Sequence, residues 1–252
     1  MTLSEGILRQ KLAQPFRYYQ RVASTNDLAK TWLLDGAPDG AVVIADEQAR
    51  GRGRKGRIWR TPPGTALAVS IVMRPAAARI ARINMIGALS VFDLAAQVGC
   101  EDIGIKWPND IQVQGKKISG ILVENVWMQG SLHGAVLGIG VNIRIDFSQT
   151  DLRETAISLE DVTGFSLNRA DLIRSLLERV AYWYQRIESD DLFDTWRSRL
   201  SMLGCPVVAE GVRGRALDVT AAGGLLVEDE FDALHEIITG EITAVTQERS
   251  AE

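Results

Sequence analysis

Between Arg50 and Arg60 the chain reads RGRGRKGRIWR, six cations in eleven residues, and no acidic residue occurs between Glu47 and Asp93. Like charges crowded into one segment repel one another, so an anion must offset them when the segment orders. Gly51, Gly53 and Gly56 let the backbone approach an anion closely and turn its N–H groups toward it. Arginine forks match tetrahedral phosphate and planar carboxylate alike. The segment is not a tail, because it lies between two apolar runs, Ala41–Ala45 and Ala66–Met73, that read as strands. With Pro62, Pro63 and Gly64 added, residues 50–64 are predicted to be a loop without a regular element. A solvated basic loop, or an arginine-glycine segment that touches RNA, would carry the same charge run. Trp59 and the two prolines, which offer apolar surface to fold down, favour a loop that closes.

Periodicity organises the rest. Phe16–Val22 reads as a strand, and Ser24 as the N-cap of a helix over Thr25–Leu34, with Asp27 near its positive end. Arg79–Val98 carries apolar residues at helical spacing. Strands are predicted at Ile103–Lys106, Ile111–Val113 and Ile118–Val126, the last two joined by a turn on Gly115, and at His133–Ile145. Helices are predicted at Asn168–Ile187 and Asp191–Leu203. After Gly204-Cys205-Pro206 the helical period stops, and short strand-like runs separated by glycines suggest a small appended barrel. The expected architecture is α+β: a mixed or antiparallel sheet with flanking helices over residues 1–204, and a small β-module over 205–252.

Composition limits the partners. The 252 residues are 46% hydrophobic and 24% charged, ordinary for a globular enzyme, and the net charge of −4 gives no general attraction for nucleic acid or anionic membrane. No apolar run approaches the roughly 18 residues of a membrane span, and the first residues carry no signal-peptide pattern. Cys100 and Cys205 make neither a metal spacing nor a framework of bridges, which fits a reducing, cytoplasmic compartment.

Several strings then coincide. Ser24-Thr25-Asn26, Gln48, GRGRKGR (Gly51–Arg57) with Trp59, KWPND (Lys106–Asp110), KISGILVE (Lys117–Glu124) and GIGVN (Gly138–Asn142) occur in that order. Together they resemble the biotin protein ligases, and the resemblance runs through nearly the whole chain. It implies a class II synthetase-like catalytic domain with a C-terminal SH3-like barrel, and an enzyme that joins biotin to ATP as an adenylate and passes it to a lysine of a biotin carboxyl carrier protein.

The resemblance places Ser24, Thr25, Asn26 and Gln48 at the ureido ring of biotin, which needs partners if it is buried. Capping of the helix is the competing reading for Ser24. Arg52, Gly53, Arg54 and Lys117 are placed at the biotin carboxylate and the α-phosphate, where positioning and electrostatics do the catalysis. Arg57, Trp59, Lys106, Asn109, Asp110 and Asn142 are placed toward ATP, with Lys55 a lesser choice for the anion. Asp110, and with it Asn142, is also expected near Mg²⁺ and could take a proton from the carrier lysine; an Asx turn is its plain alternative. Gly138 and Gly140 suit close approach to the nucleotide or a strand bulge. Trp127, Trp183 and Trp196 are expected to pack, and His133 and His235 to be structural. Thr243-Ala244-Val245 stands where some relatives have a basic residue near the nucleotide, which argues against a C-terminal contact to ATP.

A lipoate or octanoate ligase shares this fold logic, but its own arginine-rich signature with a histidine has no counterpart here. Relatives that bind DNA do so through an N-terminal winged helix of some sixty residues, and the resemblance begins near Phe16, so no DNA partner is expected. Relatives form dimers through the catalytic sheet, so a homodimer is one assembly the resemblance allows.

Overall fold

The computed structural model describes residues 3–244 and builds them into two sheets flanked by helices. Residues 245–252, with Val245 and the end of the expected C-terminal module, lie outside the described residues. In chain order the first part runs α1 (Glu5–Lys11), β1 (Phe16–Val22), α2 (Thr25–Leu34), β2 (Val42–Arg52), β3 (Ile58–Thr61), β4 (Ala66–Met73), α3 (Arg82–Gln97), β5 (Ile103–Lys106), β6 (Asp110–Val113), β7 (Lys116–Met128) and β8 (Ser131–Asn142). There follow α4 (Leu159–Thr163), α5 (Arg169–Tyr184) and α6 (Asp190–Ser198), then β9 (Pro206–Ala209), β10 (Val212–Val219), β11 (Leu225–Asp229), β12 (Leu234–Ile237) and β13 (Ile242–Ala244).

The large sheet has the order β1-β2-β4-β8-β7-β6-β5, with β3 folded back on β2. Only the β1–β2 pair is parallel. β4 is buried at every position, as its uninterrupted apolar run requires of a central strand. One face of the sheet packs on α3, whose buried Ile86, Leu89 and Ala95 reach the core that also holds Leu137 and Ile139 of β8. The opposite face holds α2, with Ala29 and Leu33 against Val43, Val72 and Val136. The cavity described below opens beside α2.

The basic segment is more regular than its composition suggested. β2 continues to Arg52, and β3 returns along it with Gly51 opposite Trp59 and Arg52 opposite Ile58, leaving a short turn around Arg54–Gly56 and a register shift between Gln48 and Gly51. Glycine weakens a strand interior but permits close backbone approach. A Cβ on Gly51 would lie 2.3 Å from the Trp59 carbonyl oxygen, so the hairpin closes here because the side chain is absent. The helices α1 and α4, capped by Ser4 and Ser158, were not foreseen; seven and five residues carry too little periodicity.

One further expectation fails, and another is met as an open sheet. Trp127 is 59% exposed, because β4 ends at Met73 opposite Ala135 and the tip of the β7–β8 hairpin runs past it with no neighbour; Trp183 and Trp196 do pack in the core. The C-terminal strands form an open sheet, β12-β11-β10-β9-β13, and not a closed barrel among the described residues. The three residues of β13 pair along β9, which leaves β12 and β13 at opposite edges. The second sheet is fastened by the Trp107 indole, which is 1% exposed and donates to the Gly223 carbonyl at 2.8 Å. Val207, Val219 and Leu225 join the same buried cluster as α3.

Candidate functional site

All fourteen site residues singled out in the sequence line one cavity of about 560 Å³. Its walls come from the start of α2, the β2–β3 hairpin, the β5–β6 connection, the β6–β7 turn and β8, and its rim includes Gly240 to Thr243 of the second sheet. That volume suits a ligand of cofactor size.

One end is neutral and dense in hydrogen bonds. Ser24, Thr25 and Asn26 open α2 and are 3–5% exposed. Ser24 occupies the N-cap position, but its side chain makes no capping bond, so the capping reading for its hydroxyl fails. The Thr25 hydroxyl and N–H both reach Gln48 Oε1, at 3.0 and 2.9 Å. Gln48 Nε2 donates to Thr61 at 3.2 Å, which fixes that amide. Ser70, not singled out in the sequence and wholly buried on β4, lies 2.7 Å from the Thr25 hydroxyl and 2.6 Å from Asn26 Oδ1. The row Asn26–Ser70–Thr25–Gln48 thus has three oxygen contacts, two acceptor-only ends and two hydroxyl protons. It is one donor short, and a ligand bearing N–H groups would complete it.

The other end is cationic. Arg54 donates to Asn109 Oδ1 at 3.3 Å and to the Thr239 hydroxyl at 2.6 Å. Burial of its guanidinium pulls its pKa down, while the carboxylates of Asp110, Glu241 and Glu210 oppose that shift. Asn109 is anchored through Nδ2 to the Ile121 carbonyl at 2.7 Å. Lys117 Nζ is 2.6 Å from Asp110 Oδ1 and 5.5 Å from the centre of the Trp59 ring. Asn142 Nδ2 ties the Lys117 carbonyl to that of Ile157, both at 3.2 Å. Gly53 heads the turn, its N–H donating to the Arg57 carbonyl at 2.8 Å, while Lys106 faces Asp110 across the β5–β6 pairing.

Arg52 is not brought to that end. Its Nη2 lies 2.7 Å from Asp27 Oδ1 and 2.9 Å from Glu124 Oε2. The second sheet grips the hairpin turn instead: Lys55 pairs with Glu210 at 2.7 Å and Arg57 with Glu241. No sequence pattern pointed to these partners, which lie some 155 or more positions away.

Two glycines of β8, Gly138 and Gly140, have one explanation each. The ladder runs unbroken through Gly138 and Gly140, so neither is a bulge. A Cβ on Gly138 would lie 2.3 Å from Asn26 Oδ1, and one on Gly140 would lie 2.3 Å from Trp59 Cε2. Each glycine makes room for a cavity side chain. The Trp59 indole nitrogen is buried and has no hydrogen-bond partner among the described residues.

Residues 18–142, from β1 to the end of β8, match the model of the biotin/lipoate A/B protein ligase family. A biotin–[acetyl-CoA-carboxylase] ligase of Paracoccus denitrificans is 32% identical over 200 residues, covering 75% of this chain and 82% of that protein. The chain belongs to the biotin/lipoate A/B protein ligase family. A bifunctional ligase/repressor BirA of Bacillus spizizenii is 28% identical over 94% of this chain and 76% of its own length. Among solved structures, a biotin protein ligase from Aquifex aeolicus in complex with biotin and ATP superposes with a TM-score of 0.77, at 25% identity, covering 92% of this chain and 98% of that one. The matched family region contains all fourteen site residues named from sequence, whereas the acidic grip on the turn comes from outside it.

Proposed function

We propose that the chain is an ATP-dependent biotin protein ligase, which forms biotinyl-5′-AMP and transfers biotin to a lysine of a biotin carboxyl carrier protein. The observation that carries this reading is the polarity of one cavity: a donor-poor neutral row at one end and Arg54 and Lys117 at the other. A cyclic urea offers two N–H donors to the row, and a carboxylate at the far end of an apolar chain would reach the cations.

In the first half-reaction a carboxylate oxygen of biotin attacks the α-phosphorus of ATP and pyrophosphate leaves. Lys117 and Arg54 converge on the site where two anions meet, and their fixed charges offset the negative charge that builds on the phosphoryl oxygens. Burial of Arg54 strengthens that effect by removing competing water. The β2–β3 hairpin, held over the cavity by Glu210 and Glu241, shields an adenylate that water would hydrolyse. In the second half-reaction the carrier lysine attacks the acyl carbon and AMP leaves. That amine must first lose a proton, and Asp110, a carboxylate on the cavity wall, is proposed to take it.

Among the described residues no group of three His, Cys, Asp or Glu could enclose a metal ion. Mg²⁺ would therefore arrive on the triphosphate, with Asp110 and Asn142 the residues that would meet it, directly or through water. When bound, it would neutralise phosphate charge.

The test is to incubate the protein with ATP, Mg²⁺, biotin and an apo carrier domain. A mass gain of one biotinyl group on one carrier lysine is expected, with none when lipoate replaces biotin. No gain with biotin would sink the reading.

A further inference from the structure

Glu124 ends the KISGILVE string, and nothing above gives it a part in the reaction. It lies behind the wall of the cavity, with its side chain 25% exposed. Oε2 accepts from Asn26 Nδ2 at 2.8 Å, and Oε1 from Lys30 Nζ at 3.0 Å; Arg52 Nη2 lies 2.9 and 3.1 Å from the two oxygens. Burial alone would raise its pKa, but the hydrogen bonds from Asn26 and Lys30 and the charges of Lys30 and Arg52 outweigh that, leaving it below the ordinary value.

An ionised carboxylate only accepts hydrogen bonds. It therefore holds the Asn26 amide with Nδ2 toward Glu124 and Oδ1 toward Ser70 and toward Gly138, which lines the cavity. Reversal of the amide would set Oδ1 against the carboxylate and against the Leu122 carbonyl, which now accepts from Nδ2 at 3.4 Å. Ser70 cannot impose this choice, since a hydroxyl donates or accepts. Lys30 and Arg52 also reach Asp27, at 3.2 and 2.7 Å, so two carboxylates offset these two cations and Glu124 stays ionised among them.

We propose that Glu124 is a positioning residue that fixes the polarity of the Asn26 amide, so that the neutral end of the cavity presents an acceptor to a ligand N–H. The inference rests on the biotin reading above and deepens it. Glu124 acts through Asn26 and touches no substrate.

The full chain is assayed by biotin-dependent ATP–pyrophosphate exchange as wild type, Glu124→Gln, Asn26→Ala and the double variant. Glu124→Gln is expected to raise KM for biotin roughly tenfold, the scale of one mispaired buried polar group, while KM for ATP stays within about twofold. In the Asn26→Ala background the same change is expected to add less than about twofold, since the two residues act as one unit. Glu124→Asp, which keeps the charge but shortens its reach, carries the same cycle if the glutamine variant does not fold. An unchanged KM for biotin in Glu124→Gln, or effects that multiply in the double variant, would overturn the inference. Wild type that shows no biotin-dependent exchange would instead remove the reading beneath it.

Discussion

Lys117 and Asp110 are joined by a 2.6 Å ion pair on the wall of the cavity, with the lysine 30% and the aspartate 24% exposed. β6 and β7 form an antiparallel hairpin in which Asp110 stands opposite Gly120, and the Lys117 side chain folds back along Gly120 to reach it. The pair sets the resting arrangement of the two groups proposed for the two half-reactions. A substrate carboxylate would draw Lys117 away, which frees Asp110 for the incoming amine.

Replacing Asp110 by Asn is expected to slow transfer from preformed biotinyl-adenylate by roughly a hundredfold at neutral pH, the usual worth of a positioned base. The deficit should shrink as pH rises toward the ordinary lysine pKa near 10.4, where the amine deprotonates unaided. Single-turnover transfer to an apo carrier, measured across pH, checks this. Equal rates for both proteins at every pH would exclude Asp110 as the proton acceptor.

Arg54→Ala and Lys117→Ala should each lower biotin-driven ATP–pyrophosphate exchange by roughly a hundredfold to a thousandfold, the scale of one lost transition-state contact. Arg52→Ala should cost less at neutral pH, because its guanidinium faces Asp27 and Glu124 and not the anion end. An Arg52 variant as slow as the Arg54 variant would mean that Arg52 swings across during turnover.

Gly140→Ala puts a methyl group 2.3 Å from the Trp59 ring, which is stiff and held by the β2–β3 pairing. Overpacking of this kind costs about 1–3 kcal/mol. Gly120→Ala meets Trp59 Cζ3 and the flexible end of Lys117 only at 3.3 Å and should be milder. Thermal unfolding of the two variants, with the shift in Trp fluorescence, separates them. A Gly140→Ala protein as stable as wild type would show that Trp59 does not rest on β8.

Lys55 and Glu210 are both nearly half exposed, so their pair contributes less than about 1 kcal/mol to stability. Its expected effect is on the hairpin turn. Lys55→Glu should speed protease cleavage within residues 50–59, and adding Glu210→Lys should restore protection. Biotin with ATP should protect the wild-type turn further. Cleavage that is indifferent to charge and to ligands would rule out a gripped, closing turn.

Local chemistry determined much of this protein from sequence. Continuous apolar runs such as Ala66–Met73 could only be central strands, and the helical periods of α2, α3 and α5 fixed those helices to within a few residues. The cation-rich segment demanded an anion whatever the fold, and the strings around Ser24, Lys106, Lys117 and Gly138 named the residues that line the cavity. Tertiary structure alone decided which cations face the anion end and which are spent on carboxylates. Arg52 and Arg54 are two residues apart, yet strand geometry sends one to Asp27 and Glu124 and the other to Asn109 and Thr239. Sequence spacing cannot reveal this, because each partner lies on another strand, helix or sheet, and contact between distant segments is set by how the elements pack.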